Sequence, residues 1–185
     1  SQLQTTTDTS SGNGNSGSGS VPQRSVQNIY DAFIVKNGKS YLASDPTTNL
    51  RQNNDDAGHG THVAATVGGI TVGVAPGSNI YGLKVMDKNG ESDDRVILHG
   101  LDYIADKVKS MLKAGLWRPS IVTMSIGGAC SNPHDCDSDI LNIFVENLAK
   151  LGVLISVASG NEGCNACYGA PNGAKSAFVV GALNK

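Results

Sequence analysis

A chain of 185 residues with 39% hydrophobic content is long enough to bury one sizeable core. Its 23 glycines and only 5% aromatic residues suit an α/β protein with many tight turns better than a helical bundle. The net charge of −2 offers no basic surface for nucleic acid or an anionic membrane, and no apolar run approaches the roughly 20 residues of a membrane-spanning helix.

Residues 5–20 are almost wholly Thr, Ser, Gly, Asn and Asp, so residues 1–20 read as a flexible segment before a domain over 21–185. The opening Ser1-Gln2-Leu3-Gln4-Thr5 has neither a basic start nor an apolar core, which fits a cytosolic chain or one whose leader has been removed. A strand is predicted at 26–35, with turn signals at Asn37-Gly38 and Asp45-Pro46. A short helix follows at 59–67, then a strand at 79–86 closed by the turn Asp87-Lys88-Asn89-Gly90. Val96, Ile97, Leu101, Ile104, Ala105, Val108 and Leu112 recur at helical spacing and predict an amphipathic helix over 93–114, with Ser92 as its N-cap. Residues 121–125 form a short apolar strand, and 139–151 a helix with Leu141, Phe144, Val145 and Leu148 on one face. Two further buried strands are predicted at 153–158 and 177–182. Strands alternating with helices of this size imply a parallel sheet covered on both faces.

Four cysteines lie in two close pairs, Cys130/Cys136 and Cys164/Cys167. An even count at local spacing fits disulfides in a secreted protein, with three connectivities open. The rivals are free thiols and a four-cysteine zinc site, which Cys164-x2-Cys167 suits and the wider Cys130/Cys136 spacing does not.

The densest chemical signal is Asp56-Ala57-Gly58-His59-Gly60-Thr61-His62-Val63-Ala64-Ala65-Thr66. A glycine-flanked histidine at a helix start projects its imidazole from the helix end into a cleft, and the small residues behind it let the helix pack closely. As a general base it needs a carboxylate to hold the imidazolium it becomes. Downstream, Met124-Ser125-Ile126-Gly127-Gly128 is an apolar strand whose glycines let a peptide backbone approach. In Ala158-Ser159-Gly160-Asn161-Glu162-Gly163 an asparagine amide follows a buried strand, where it can donate to an oxygen turning negative. Singly, each has an ordinary reading: a helix-end histidine, a glycine turn, a turn-forming asparagine.

In this order, with Gly73-Val74-Ala75-Pro76 and Ile80-Tyr81-Gly82-Leu83-Lys84-Val85 between them, the segments resemble the subtilase family of serine peptidases. The short 67–72 link and the run through Gly100-Leu101-Asp102-Tyr103 resemble its proteinase K branch. The resemblance implies a subtilisin-like three-layer α/β fold, with a mainly parallel central sheet, helices on both faces, and an incomplete C-terminal part. It implies peptide-bond hydrolysis by an Asp/His/Ser triad, with His59 as general base and Asn161 in the oxyanion hole. Ser125, Ile126, Gly127 and Gly160 would bind substrate, and His62 would be structural. The 67–72 link is too short for the calcium loop that bacterial subtilisins insert there. No cofactor is firmly assigned, and structural calcium stays open.

The family's order along the chain is Asp, His, Ser. No Gly-Thr-Ser-type turn occurs in this sequence. The serine is therefore expected outside it, in a C-terminal segment or a second chain, and these residues alone are expected to be inactive and poorly stable. The resemblance makes Asp8, in Asp8-Thr9-Ser10, the first candidate for the acid, ahead of Asp31, in Asn28-Ile29-Tyr30-Asp31; because Gln4-Thr5-Thr6-Thr7 is polar for a buried parallel strand, a third alternative is that neither serves and Asp8 sits in a solvated linker. Asp55 and Asp56 read as loop carboxylates or helix-end charges, and His99 and His134 as surface residues. Two functions follow: a secreted endopeptidase acting on polypeptides, or a catalytically inactive binding or structural protein on the same scaffold. Neither calls for a nucleic acid or a membrane as partner.

Overall fold

The computed structural model describes residues 2–7, 33–36, 39–42, 55, 57–130, 132 and 134–183. In chain order they form strands β1 (Gln2–Thr7), β2 (Phe33–Lys36) and β3 (Lys39–Leu42), helix α1 (His59–Gly68), and strand β4 (Asn79–Lys84). Helix α2 (Asp94–Lys113), strands β5 (Ser120–Met124) and β6 (Gly128–Ala129), and helix α3 (Ile140–Lys150) follow. Strands β7 (Leu154–Ala158), β8 (Gly169–Ala170) and β9 (Ala177–Val180) complete the described chain.

The main sheet has the order β4-β1-β5-β7-β9. β5, β7 and β9 are parallel, with Ile121 beside Leu154 and Ser156 beside Phe178. β1 is antiparallel to both of its neighbours, so β4 shares the direction of the other three. The sheet is mainly parallel, as α/β alternation requires.

Alternation decides what lies inside. Val122 and Met124 of β5 and Ile155 and Val157 of β7 point to one face, where they join Leu101, Ile104 and Val108 of α2 and Val145 and Leu148 of α3 in one buried cluster. Each such side chain contributes about 1.5–3 kcal/mol by leaving water. α1 lies on the opposite face: Gly68 packs so closely on Ile80 that a Cβ would stand 2.6 Å from Cδ1, and Ile80 points away from the core-facing Leu83. Helices therefore cover both faces, the second only in part.

The periodic helices lie where the pattern puts them, but the α2 cap shifts by one residue. Asp93 has the extended backbone of an N-cap and its carboxylate accepts from Arg95 N at 2.9 Å, while the Ser92 hydroxyl donates to Val85 O at 2.5 Å. Asp139 caps α3 in the same way, accepting from Leu141 N.

Of the strand predicted at 26–35, residues 26–32 lie outside the described residues and 33–35 fall in β2, which pairs antiparallel with β3. Two expectations are revised. Gln2–Thr7 does not belong to a flexible segment: it is a strand within the sheet, paired on both sides. Its three successive β-branched threonines suit a pleated surface despite their polarity. β9 is not a buried strand. Among the described residues it has a partner on one side only, and Phe178, Val179 and Val180 are exposed.

Candidate active site

The carboxyl ends of β5 and β7 and the start of α1 carry the candidate residues, the usual location for a ligand in an open α/β sheet. α1 begins after Gly58, whose φ of 77° favours glycine and whose lack of a side chain leaves the helix without a cap of its own. Asp55 substitutes: its carboxylate accepts from Gly58 N at 3.1 Å and Thr61 N at 2.6 Å. Burial raises the Asp55 carboxyl, but the hydrogen bonds from Thr61 and Gly58 outweigh it and hold the group below the usual carboxylate range. Asp55 is thus a helix-end charge that fixes the turn carrying His59.

The His59 ring is exposed and its Nε2 lies 3.1 Å from Ser125 O. A carbonyl only accepts, so Nε2 carries the hydrogen in this arrangement. Ser125 opens the loop after β5. With Ile126, Gly127, Gly128 and Ala129 it forms one wall of a cleft of about 280 Å³, and Ala158, Ser159, Gly160, Asn161 and Glu162 from the end of β7 line it too. A further wall comes from Cys164 to Asn172. It is tied to the first by the β6–β8 pairing of Ala129 with Gly169 and by Cys130 N donating to Tyr168 O at 3.3 Å.

Gly160 has φ 91°, a left-handed backbone that favours glycine, and a Cβ on it would displace the Glu162 carboxylate. That carboxylate accepts from Asn161 N at 2.8 Å and braces the turn. Asn161 lines the cleft, and no hydrogen bond among the described residues engages its exposed side-chain amide. His59, Ser125, Ile126, Gly127, Gly160 and Asn161 therefore belong to one connected neighbourhood, with Ser125 common to the imidazole contact and the cleft.

Asp8 and Asp31, the candidate acids, and Asp56 lie outside the described residues.

Cys130 and Cys136 form a disulfide, whereas Cys164 and Cys167 are exposed and unbridged. The bridge removes two thiols from any four-cysteine zinc site. Among the described residues no group of three or more His, Cys, Asp or Glu converges. His99 and His134 are exposed, as expected. A second cavity, of about 410 Å³, lies between β4 and α2 and is lined by Tyr81, Tyr103 and Met111 among others; it contains none of the candidate residues. Sequence reasoning missed the second wall of the cleft and the Glu162 brace. The only local signal for the former was the turn-like Gly169-Ala170-Pro171.

Comparison with known proteins matches the subtilase family over residues 10–185. An extracellular serine proteinase of Thermus sp. (strain Rt41A) is 33% identical over 153 residues, covering 83% of this chain and 33% of that protein. Proteinase T of Parengyodontium album is 34% identical over 72% of this chain and 42% of that protein. Alkaline protease 1 of Aspergillus clavatus is 40% identical over 71% of this chain and 30% of that protein. The crystal structure of a cold adapted subtilisin-like serine proteinase superposes with a TM-score of 0.58 at 33% identity, covering 71% of this chain and 42% of that one. The chain thus spans roughly a third of the length of the curated relatives it matches. No described helix is long and apolar enough to cross a membrane.

Proposed function

Because this chain belongs to the subtilase family, we propose that it is the histidine- and asparagine-bearing part of a secreted subtilisin-type serine endopeptidase. The observation that supports this best is the Ser125 link: one residue meets the His59 imidazole and lines the same cleft as Asn161. In the working enzyme His59 gives up its contact with Ser125 O and takes the proton of a serine hydroxyl as that oxygen attacks the peptide carbonyl. It then returns the proton to the leaving amine. The Asn161 amide donates to the carbonyl oxygen as it becomes negative. The substrate lies extended along Ser125–Gly127, held by main-chain hydrogen bonds, with Gly127 and Gly160 leaving room for its backbone.

The nucleophile in this reading is a serine outside these 185 residues, on a segment of the same protein or on a second chain. That element also covers the apolar side chains of β5, β7 and β9 that stand exposed opposite α3. A secreted location fits the Cys130–Cys136 bridge and the name of the Thermus relative. In that oxidising setting Cys164 and Cys167 close to a second disulfide beside the cleft, and thiol alkylation followed by intact mass would count no free thiol if so.

A second reading, a catalytically inactive binding scaffold, is favoured by one observation: the sequence holds no Gly-Thr-Ser-type turn for a nucleophile. A fluorophosphonate label on the whole protein separates the two. Covalent labelling and peptide hydrolysis are expected, with His59→Ala costing about 10⁶ in kcat, a magnitude that itself comes from a subtilisin. Asn161→Leu should cost about 10²–10³, again a subtilisin figure. No labelling of the unaltered protein would leave only the scaffold.

A further inference from the structure

Asn142 lies in the first turn of α3 and is 1% exposed, on a face otherwise given to Leu141, Val145 and Leu148. Its Nδ2 donates to Cys136 O at 2.7 Å and to Gly169 O at 3.2 Å. Both partners are carbonyls, so the amide has one possible orientation. Oδ1 is left buried with no donor. An aliphatic side chain of the same size would avoid that orphaned oxygen, which is a cost to stability. What the amide does with its two donors is therefore the reason to look for a role.

Gly169 lines one wall of the cleft, and Cys136 lies behind the other, outside the lining itself. Cys136 is bridged to Cys130, the residue after Ala129, and Gly169 pairs directly with Ala129. Asn142 thus clamps both walls from beneath. Gly173 closes on the same point: a Cβ there would stand 2.8 Å from Asn142 Nδ2 and 2.6 Å from Gly169 O.

We infer that Asn142 is a positioning residue that sets the separation of the cleft walls through Cys136 and Gly169, and so selects which substrate side chain the cleft admits. It touches no substrate itself, and the selection rests on the reading of the cleft as a peptide site.

The test uses the whole protein with Asn142→Leu, which keeps the volume and removes the donors. Gly173→Ala is the second variant; it presses on the amide while retaining it, and carries the test should Asn142→Leu not fold. Peptides differing only in the residue on the carbonyl side of the scissile bond (Ala, Leu or Phe) give KM and kcat separately. The KM ratio of Phe to Ala substrates should change about tenfold in Asn142→Leu with kcat within about twofold, and by less in Gly173→Ala. Backbone amide exchange should rise about tenfold in the β6–β8 pair and stay unchanged in β7. An equal loss for all three peptides, or faster exchange throughout α3 and β7, overturns the inference. If the unaltered protein neither labels nor hydrolyses, the peptidase reading has failed by itself, and the exchange pattern still decides whether Asn142 holds the walls.

Discussion

Val122, Met124, Ile155 and Val157 point to one face of the β5–β7–β9 sheet and are no more than 2% exposed; Ile121, Leu154, Phe178 and Val180 point to the other and are 39%, 50%, 67% and 51% exposed. The residue types are nearly the same on both sides. What differs is that α2 and α3 lie on the first face, while α1 on the second packs mainly against β1 and β4. A strand apolar on both faces expects cover on both, and a contiguous exposed apolar patch marks a contact surface. The comparison separates what holds the described fold together from what its function needs added.

The largest effect expected is on the covered face. Ile155→Ala should lower unfolding free energy by about 3 kcal/mol, read as a shift of the denaturation midpoint without a change in slope. Its neighbour on the other face sharpens the contrast: in the whole protein Leu154→Ser should cost about 2 kcal/mol if the proposed segment covers it. A change below about 0.5 kcal/mol would mean that this face stays in water and would break the proposal that one element brings both serine and cover.

Smaller effects come from polar groups at the borders. Asp55→Asn should cost about 1 kcal/mol through the α1 start. The folded-state carboxyl is held below its ordinary value of 3.8. Its contribution is therefore full above that value and is lost as pH falls through the lowered one. Unaltered protein should lose part of its stability below about pH 4 that Asp55→Asn never had, visible in melting curves across that range. The smallest effect concerns β9. Glu146 on α3 accepts from the Ser176 hydroxyl at 2.7 Å and from Ser176 N at 2.8 Å, and these bonds lower its carboxyl from 4.5. Glu146→Gln should cost at most about 0.5 kcal/mol, with the acid-side loss again reduced. Equal stability at pH 3 and pH 7 in the unaltered protein would contradict both carboxylate assignments.

α2 was legible because Ile97, Leu101, Ile104 and Val108 repeat at 3.6-residue spacing, a pattern only one local structure can bury. Its cap was legible only to within a residue, since Ser92 and Asp93 are both good cap formers and a contact with Val85 claims the serine. The exposure of β9 was not legible: Ala177-Phe178-Val179-Val180 has the composition of a central strand, and only pairing shows it to be an edge. β1 was missed for the opposite reason, its threonines reading as linker until both neighbours bond to it.

For the candidate site, the chain alone determined the glycine-flanked His59, the strand-then-glycine segment from Ser125 and the Gly160-Asn161 turn, because each depends on residues within a few positions of one another. Only the tertiary structure decided that Ser125 joins the imidazole to the cleft, that Cys130 bonds to Cys136 rather than to a more distant thiol, and that Asn142 ties Cys136 to Gly169. Those contacts span up to 66 residues. Their formation depends on how the whole sheet and its helices bury apolar area, which no local pattern specifies.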